Sequence, residues 1–290
     1  MVVQVWYSRS VRFGAHVSIR GRLSSAIARA LAIGCECLQI FVGNPRSWRA
    51  VRYPPEDLAE FRRERARSGL DPLVAHTPYL LNLAASGEVY ERSVRALGHA
   101  LEVMEVLEGL GVVTHIGSAR DCGFAEAVRR VARAVRRGLA ATDRALVLLE
   151  GSAGRTLGGT FGELAALVDA LDGDERVGIC LDTAHLYAAG WDLQTPDGVE
   201  AMLEAFQEQV GLARLRLLHL NDTQAPRGSR RDRHENIGAG RIGLVGFRTL
   251  VSHPRLASLC GIIETPGFGK QGPDRRNLEV LKSLRAEGGW

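Results

Sequence analysis

Six apolar runs in this chain end in a side chain that can bind a metal. The runs PLVAHT, VVTHIG, ALVLLE, VGICLDT, LRLLHL and CGIIET close on His76, His115, Glu150, Asp182, His219 and Glu264. Three further candidates sit just beyond such ends. Asp182 is followed by His185 in DTAH, and His219 by Asp232 and His234 in the arginine-rich stretch that runs on to Gly243. A single His or Glu at a strand end is commonly a hydrogen-bonded loop residue, but the same choice at six consecutive ends argues for one shared site. Imidazole and carboxylate without thiolate suit Zn²⁺, with Mn²⁺ or Fe²⁺ as alternatives. Nine donors exceed what one tetrahedral ion needs and point to two or three ions, the arrangement that clamps the attacking and leaving oxygens of a phosphoester. Asp232 and His234, two apart on an extended segment, can face one ion. Spacing leaves open whether Asp182 and His185 share one.

The elements that must position these donors are short β-rich runs alternating with helical segments. Eight strand-like runs are read at 11–17, 37–42, 72–77, 112–117, 145–150, 177–183, 215–220 and 260–265. They are apolar nearly end to end, as parallel strands covered on both faces are. Helical patterns fill 23–33, 55–68, 88–110, 124–143, 160–171, 196–211, 244–252 and 273–287. Eight β/α units predict a single-domain α/β fold, a TIM (β/α)₈ barrel over residues 11–290, preceded by an N-terminal extension, 1–10, for which no role is read. A doubly wound sheet is disfavoured, because no GxGxxG follows the first strand. In a barrel, active-site residues sit at the carboxyl ends of the strands, where the donors lie.

Composition sets bounds. The chain has 290 residues, is 46% hydrophobic and carries a net charge of +4. Lys270 and Lys282 are the only lysines among 37 basic residues. Arginine's planar fork suits phosphate oxygens, although codon bias explains many of these residues equally well. Five cysteines without a CxxC argue against a disulfide framework and for a reducing compartment. No window approaches the ~18 apolar residues of a membrane helix. A soluble cytoplasmic protein, without a membrane partner, is the expectation.

Four stretches carry a resemblance. CLDTAHLYAAGWD (180–192) and HLNDTQAPRGSRRDRHENIGAGRIG (219–243) are joined by HTPYLLNLA (76–84) and NPRSW (44–48), within a span from GAHVS (14–18) to ETP (264–266). Together they resemble the endonuclease IV family of apurinic/apyrimidinic (AP) endonucleases. The resemblance implies a trinuclear zinc centre, with Mn²⁺ as an alternative at one position. His76, His115 and Glu150 would hold one ion. Glu150, Asp182, His219 and Glu264 would hold a second, and His185, Asp232 and His234 a third. Glu150 and Glu264 would be the catalytic carboxylates, and His16 would stand behind the ligands.

It further implies that double-stranded DNA with abasic sites or blocked 3′ ends is the partner. The phosphodiester 5′ to the abasic sugar would be cut to a 3′-hydroxyl and a 5′-deoxyribose phosphate, by a monomer working at the nucleoid. Arg46 and Tyr79 match residues that probe the gap in the base stack, and Leu80 can join them as an apolar wedge. Arg230 and Arg231, beside the proposed ligands, are expected to meet phosphates. HIGS (115–118) stands where HPGS is familiar, and Gln224 where a lysine is usual, which removes one expected phosphate or orienting contact. RRVARAVRR (129–137) is read as a solvated helix face, and His99 and His253 as packing or surface residues. Two other readings compete: a metal-dependent sugar isomerase or epimerase on the same barrel, and a lesion-binding protein without chemistry. Neither explains both the full donor set and the arginine-rich mouth.

Overall fold

Each apolar run forms a short strand, and the amphipathic segment after it returns the chain to the same edge. The computed structural model describes residues 10–288; Trp6, Tyr7 and the rest of the extension up to residue 9 lie outside the described residues. The order opens β1 (Arg12–His16), α1 (Ser25–Ile33), β2 (Cys37–Phe41), α2 (Pro55–Ser68), β3 (Leu73–His76), α3 (Gly87–Val106), β4 (Gly111–His115), α4 (Phe124–Leu139). It continues β5 (Leu146–Glu150), α5 (Phe161–Asp169), β6 (Val177–Asp182), α6 (Thr183–Ala189), α7 (Pro196–Gln209) and β7 (Leu215–His219). A two-residue pair, β8 (Asp222–Thr223) and β9 (His234–Glu235), precedes α8 (Gly243–Val251), β10 (Cys260–Ile263) and α9 (Arg275–Glu287).

Eight of these strands close a parallel barrel in the order β1-β10-β7-β6-β5-β4-β3-β2. The expected TIM barrel is what the chain forms. The strands are one or two residues shorter than the apolar runs, which extend past the ladder into the loops.

Two features differ from the sequence reading. The segment after Asp182 is helical, because Asp182 caps α6 with its own side chain; a seven-residue helix is too short for periodicity to reveal. The basic stretch after His219, read as an open loop, is pinned by the antiparallel β8–β9 pair, with Thr223 opposite His234.

Strand residues alternate between two cores. Outward positions such as Phe13, Leu38, Ala75, Val112, Leu149 and Ile179 pack under the helices. Inward positions Cys37, Val74, Val113, Leu148, Cys180, Leu217 and Cys260 fill the barrel's lower interior. Each fully buried aliphatic side chain contributes roughly 1.5–3 kcal/mol. The helices cover the outer layer with one stripe. In α4, Ala127, Val131, Ala134 and Val135 are buried. Arg129, Arg136 and Arg137 stay at the surface, whereas Arg130 turns in to the Ala84 carbonyl and Asp121. β1 and β2 meet so closely that a Cβ on Gly14 would fall 2.0 Å from the Cys37 carbonyl oxygen.

Candidate metal centre

Period-two alternation places the donors. Two residues beyond each inward apolar side chain comes another inward position, now at the carboxyl end of the barrel. Val74 is followed by His76, Val113 by His115, Leu148 by Glu150, Cys180 by Asp182, Leu217 by His219 and Ile262 by Glu264. Gly14 and Cys37 are likewise followed by His16 and Gln39, so the upper layer of the interior is polar all the way round.

Candidate ligand atoms fall into overlapping groups whose members lie within 4.8 Å of one another. They are His76 with His115 and Glu150, Glu150 with Asp182 and His219, and Asp182 with His185 and His234. Glu150 is the hub. Its Oε2 lies 3.2 Å from His76 Nε2 and 3.1 Å from His115 Nδ1, and its Oε1 lies 3.3 Å from His219 Nδ1. Glu264 Oε2 is 3.5 Å from the same His219 nitrogen. Asp232 joins the third group, with its oxygens 3.3 Å from His185 Nε2 and 3.1 Å from His234 Nε2. Asp182 and His185 therefore touch the same group, although Asp182 also reaches the second.

The imidazoles are oriented from behind, as metal-ligating histidines are. His76 Nδ1 donates to the Thr77 carbonyl at 2.7 Å, and His185 Nδ1 to the Gly151 carbonyl at 2.9 Å. Each leaves Nε2 facing the carboxylates. His219 is turned the other way: its Nε2 donates to Gln39 Oε1 at 2.9 Å, so Nδ1 faces inward. His234 Nδ1 faces the Glu264 carbonyl at 3.5 Å, which leaves Nε2 toward Asp232.

Charge is concentrated here. Burial opposes ionisation of Glu150 and Glu264, yet the surrounding imidazoles hold both well below the usual carboxylate range. Burial also opposes the charged forms of His76, His185 and His219, and the facing acidic groups outweigh it, raising all three. His234, against Asp182 and Asp232, is raised to about 9. His16 and His115 are instead lowered, because burial wins. Glu150, Glu264 and Asp232, which His185 and His234 hold low in the same way, thus demand positive charge from their surroundings, which protons or metal ions can supply. Cys180 cannot compete as a ligand: burial pushes its thiol up to about 12.

Residues the sequence reading passed over hold the donors in place. Asn221 Nδ2 donates to Asp182 Oδ2 and its Oδ1 accepts from the Glu264 amide, both at 2.7 Å. Gln39 Nε2 donates to Glu264 Oε1 at 2.7 Å. His16 Nδ1 lies 2.9 Å from that oxygen, behind the donor layer. Asp222 gathers the backbone N–H groups of Thr223, Gly238, Gly240 and Ile242, and a Cβ on Gly240 would fall 2.4 Å from its Oδ1. Their signal was only a polar residue at an inward register or inside a motif.

The layer opens into a cleft of ≈ 590 Å³ lined by His16, Phe41, Pro45, Tyr79 and Gln271 as well as donors. Tyr79 is 59% exposed at its rim, its ring edge-on to Phe41 at 5.3 Å and its amide bonded to the Pro45 carbonyl. Leu80, also exposed, follows it, and Arg46 is exposed on the adjoining loop. Arg230 and Arg231 are exposed on the ribbon loop, where the Arg230 amide donates to the Ala188 carbonyl at 2.8 Å. Gln224 turns to Glu235 rather than to the donors, at 2.6 Å. His99 is half-buried in α3, and His253 pairs with Glu200 at 2.9 Å.

This constellation has known relatives. A family model described as a xylose isomerase-like TIM barrel matches residues 27–286. A probable endonuclease 4 from Chloroflexus aurantiacus is 43% identical over 278 residues, covering 94% of this chain and 98% of that one. The chain belongs to the endonuclease IV family. A probable endonuclease 4 from Methanoculleus marisnigri is likewise 43% identical, over 94% of this chain and 99% of its own length. The crystal structure of endonuclease IV from Thermus thermophilus superposes with a TM-score of 0.85 at 37% identity, covering 95% of this chain and 99% of that one. The endonuclease IV likeness thus covers 94–95% of the chain.

Proposed function

We propose that the protein is a DNA-repair AP endonuclease. It hydrolyses the phosphodiester 5′ to an abasic site in double-stranded DNA, leaving a 3′-hydroxyl and a 5′-deoxyribose phosphate, and it also accepts blocked 3′ ends. The observation that carries the reading is a layer of imidazole and carboxylate donors, joined through Glu150, opening into a cleft that Tyr79 also lines.

The donor set fits zinc: hard and borderline donors, no thiolate, and three imidazoles, those of His76, His185 and His219, whose outer nitrogens are already spoken for. His76, His115 and Glu150 would hold one ion, Glu150 with Asp182, His219 and Glu264 a second, and His185, Asp232 and His234 a third. Mn²⁺ is a substitute at one of them. Bound there, such ions supply Lewis acidity and bring water deprotonation close to neutral pH.

The protein's own residues do the rest. Glu150 ties two donor groups into one unit, and Glu264, with Oε1 engaged by His16 and Gln39, keeps Oε2 toward His219 and the ion the two would share. Tyr79 and Leu80 fill the gap left by the missing base, and Arg46 reads the adjoining backbone. Arg230 and Arg231 bind phosphates flanking the lesion. No helix among the described residues is long and apolar enough to cross a membrane. The reading extends to a monomer acting at the cytoplasmic nucleoid.

The test is a zinc-loaded incubation with a duplex carrying one tetrahydrofuran abasic analogue. A cut on the 5′ side ending in a 3′-hydroxyl is expected. Binding without a cut would leave a lesion-binding protein, and turnover of a ketose with no cut would leave an isomerase.

A further inference from the structure

One member of the polar layer is neither a metal donor nor at the mouth. Gln39, on β2, is fully buried and sits inward two residues beyond Cys37, opposite His16 across the β1–β2 ladder. Its amide spans two donors of a single group. Nε2 donates to Glu264 Oε1 at 2.7 Å, and Oε1 accepts from His219 Nε2 at 2.9 Å. His16 Nδ1 lies 3.0 Å from the same amide nitrogen.

The amide's orientation follows from its neighbours. A carboxylate has no proton to give, so Glu264 must meet the NH₂ end. The carbonyl end then faces His219, and only an Nε2–H can fill that bond. The lone pair of His219 is left on Nδ1, which lies 3.5 Å from Glu264 Oε2 and 3.3 Å from Glu150 Oε1. Turning the amide over would place a carbonyl against a carboxylate and an NH₂ against the ring N–H, losing both bonds.

We infer that Gln39 is a positioning residue of the candidate metal centre: one side chain sets the tautomer of His219 and the rotation of Glu264, aiming both at one ion. The inference rests on the zinc reading above and adds to it a residue that touches no metal. Partners behind a ligand commonly change metal affinity by about 10- to 100-fold when removed.

The near-isosteric variant Gln39→Met keeps the volume and removes both hydrogen bonds. Zinc retained per chain is measured across a chelator series for wild type and variant, with circular dichroism of the zinc-free forms as the fold control. The expected result is a first zinc lost from the variant at ~10- to 100-fold lower chelator strength than from wild type, with the remaining zinc unaffected. Long-range ¹H–¹⁵N spectra of zinc-loaded wild type need no variant, and they should show His219 protonated at Nε2 and metal-bound through Nδ1. Equal zinc retention in Gln39→Met, or coordination of His219 through Nε2, would overturn the inference alone. Wild-type protein that takes up no zinc would overturn the metal-centre reading and this inference together.

Discussion

Asp182 Oδ1 accepts the backbone N–H of His185 at 3.0 Å, so the carboxylate that ends β6 also begins α6. The same side chain offers Oδ2 to the donor layer, braced by Asn221. Capping and ligation are therefore separable by substitution. Asn is as good a cap as Asp, whereas Ala loses roughly 1 kcal/mol at a typical N-cap. Asp182→Asn should unfold in chelator near the wild-type midpoint yet hold zinc poorly. Asp182→Ala should lose both stability and zinc. Denaturant titrations with and without chelator, alongside zinc content, decide it, and equal midpoints for the two variants would remove the cap from this account.

Tyr79 stands at the rim of the cleft, mostly exposed, with one edge against Phe41. Removing it should cost the fold little, within about 0.5 kcal/mol as for other surface positions. Its effect belongs to the lesion: aromatic stacking on a base contributes ~1–3 kcal/mol, so Tyr79→Ala should weaken binding of an abasic duplex by about 5- to 150-fold. Affinity for intact duplex should change far less. Arg46→Ala is expected to shift the same ratio, and an unchanged preference for the lesion in both variants would count against the rim as the reader of damage.

Protonation of the donor layer competes with metal. His234 has its folded value raised from 6.5 to about 9, so the stability it confers on zinc-free protein is complete below 6.5 and is lost as pH rises through about 9. His76, His185 and His219 are raised in the same sense. The melting temperature in chelator should fall between pH 6.5 and about 9, less steeply in His234→Ala. Zinc affinity should rise over the same range, because binding expels these protons. A zinc-free melting temperature that climbs with pH across this window would contradict the pairing of His234 with Asp182 and Asp232.

Arg230 and Arg231 project from the ribbon loop beside Asp232. If each neutralises one phosphate, each contributes about 0.9 to the slope of log affinity against log salt on duplex DNA. The double variant Arg230→Ala/Arg231→Ala should flatten that slope by roughly 1.8 while leaving zinc content alone. Binding titrations from low to moderate salt test this. An unaltered slope would move these arginines off the DNA.

The barrel and its donors were legible because both follow from alternation: runs of Val, Leu and Ile gave the strands, and the first inward position beyond each run gave His76, His115, Glu150, Asp182, His219 and Glu264. Gln39 and Asn221 obey the same geometry, but amides are too common at strand ends to stand out by type. The partnership of Asp182 with His185 was hidden for another reason. It depends on a helix cap, which re-aims a side chain without altering any spacing. The β8–β9 pair was invisible because two residues on each side carry no periodicity, and its existence depends on Asp222 collecting amides from residues sixteen or more positions away.

That small ribbon has a consequence for how the protein can diverge. Thr223 and His234 are locked opposite one another, and the Thr223 hydroxyl and Gln224 amide both bond the Arg233 carbonyl. The chain between them leaves and returns through a closed seam. The exposed side chains of residues 225–231 can then exchange charges while His234 keeps its aim. A one-residue slip of the seam itself would turn His234 to the opposite face. The charges that would grip the substrate are free to drift in the loop, while the seam at Arg233 holds His234 still.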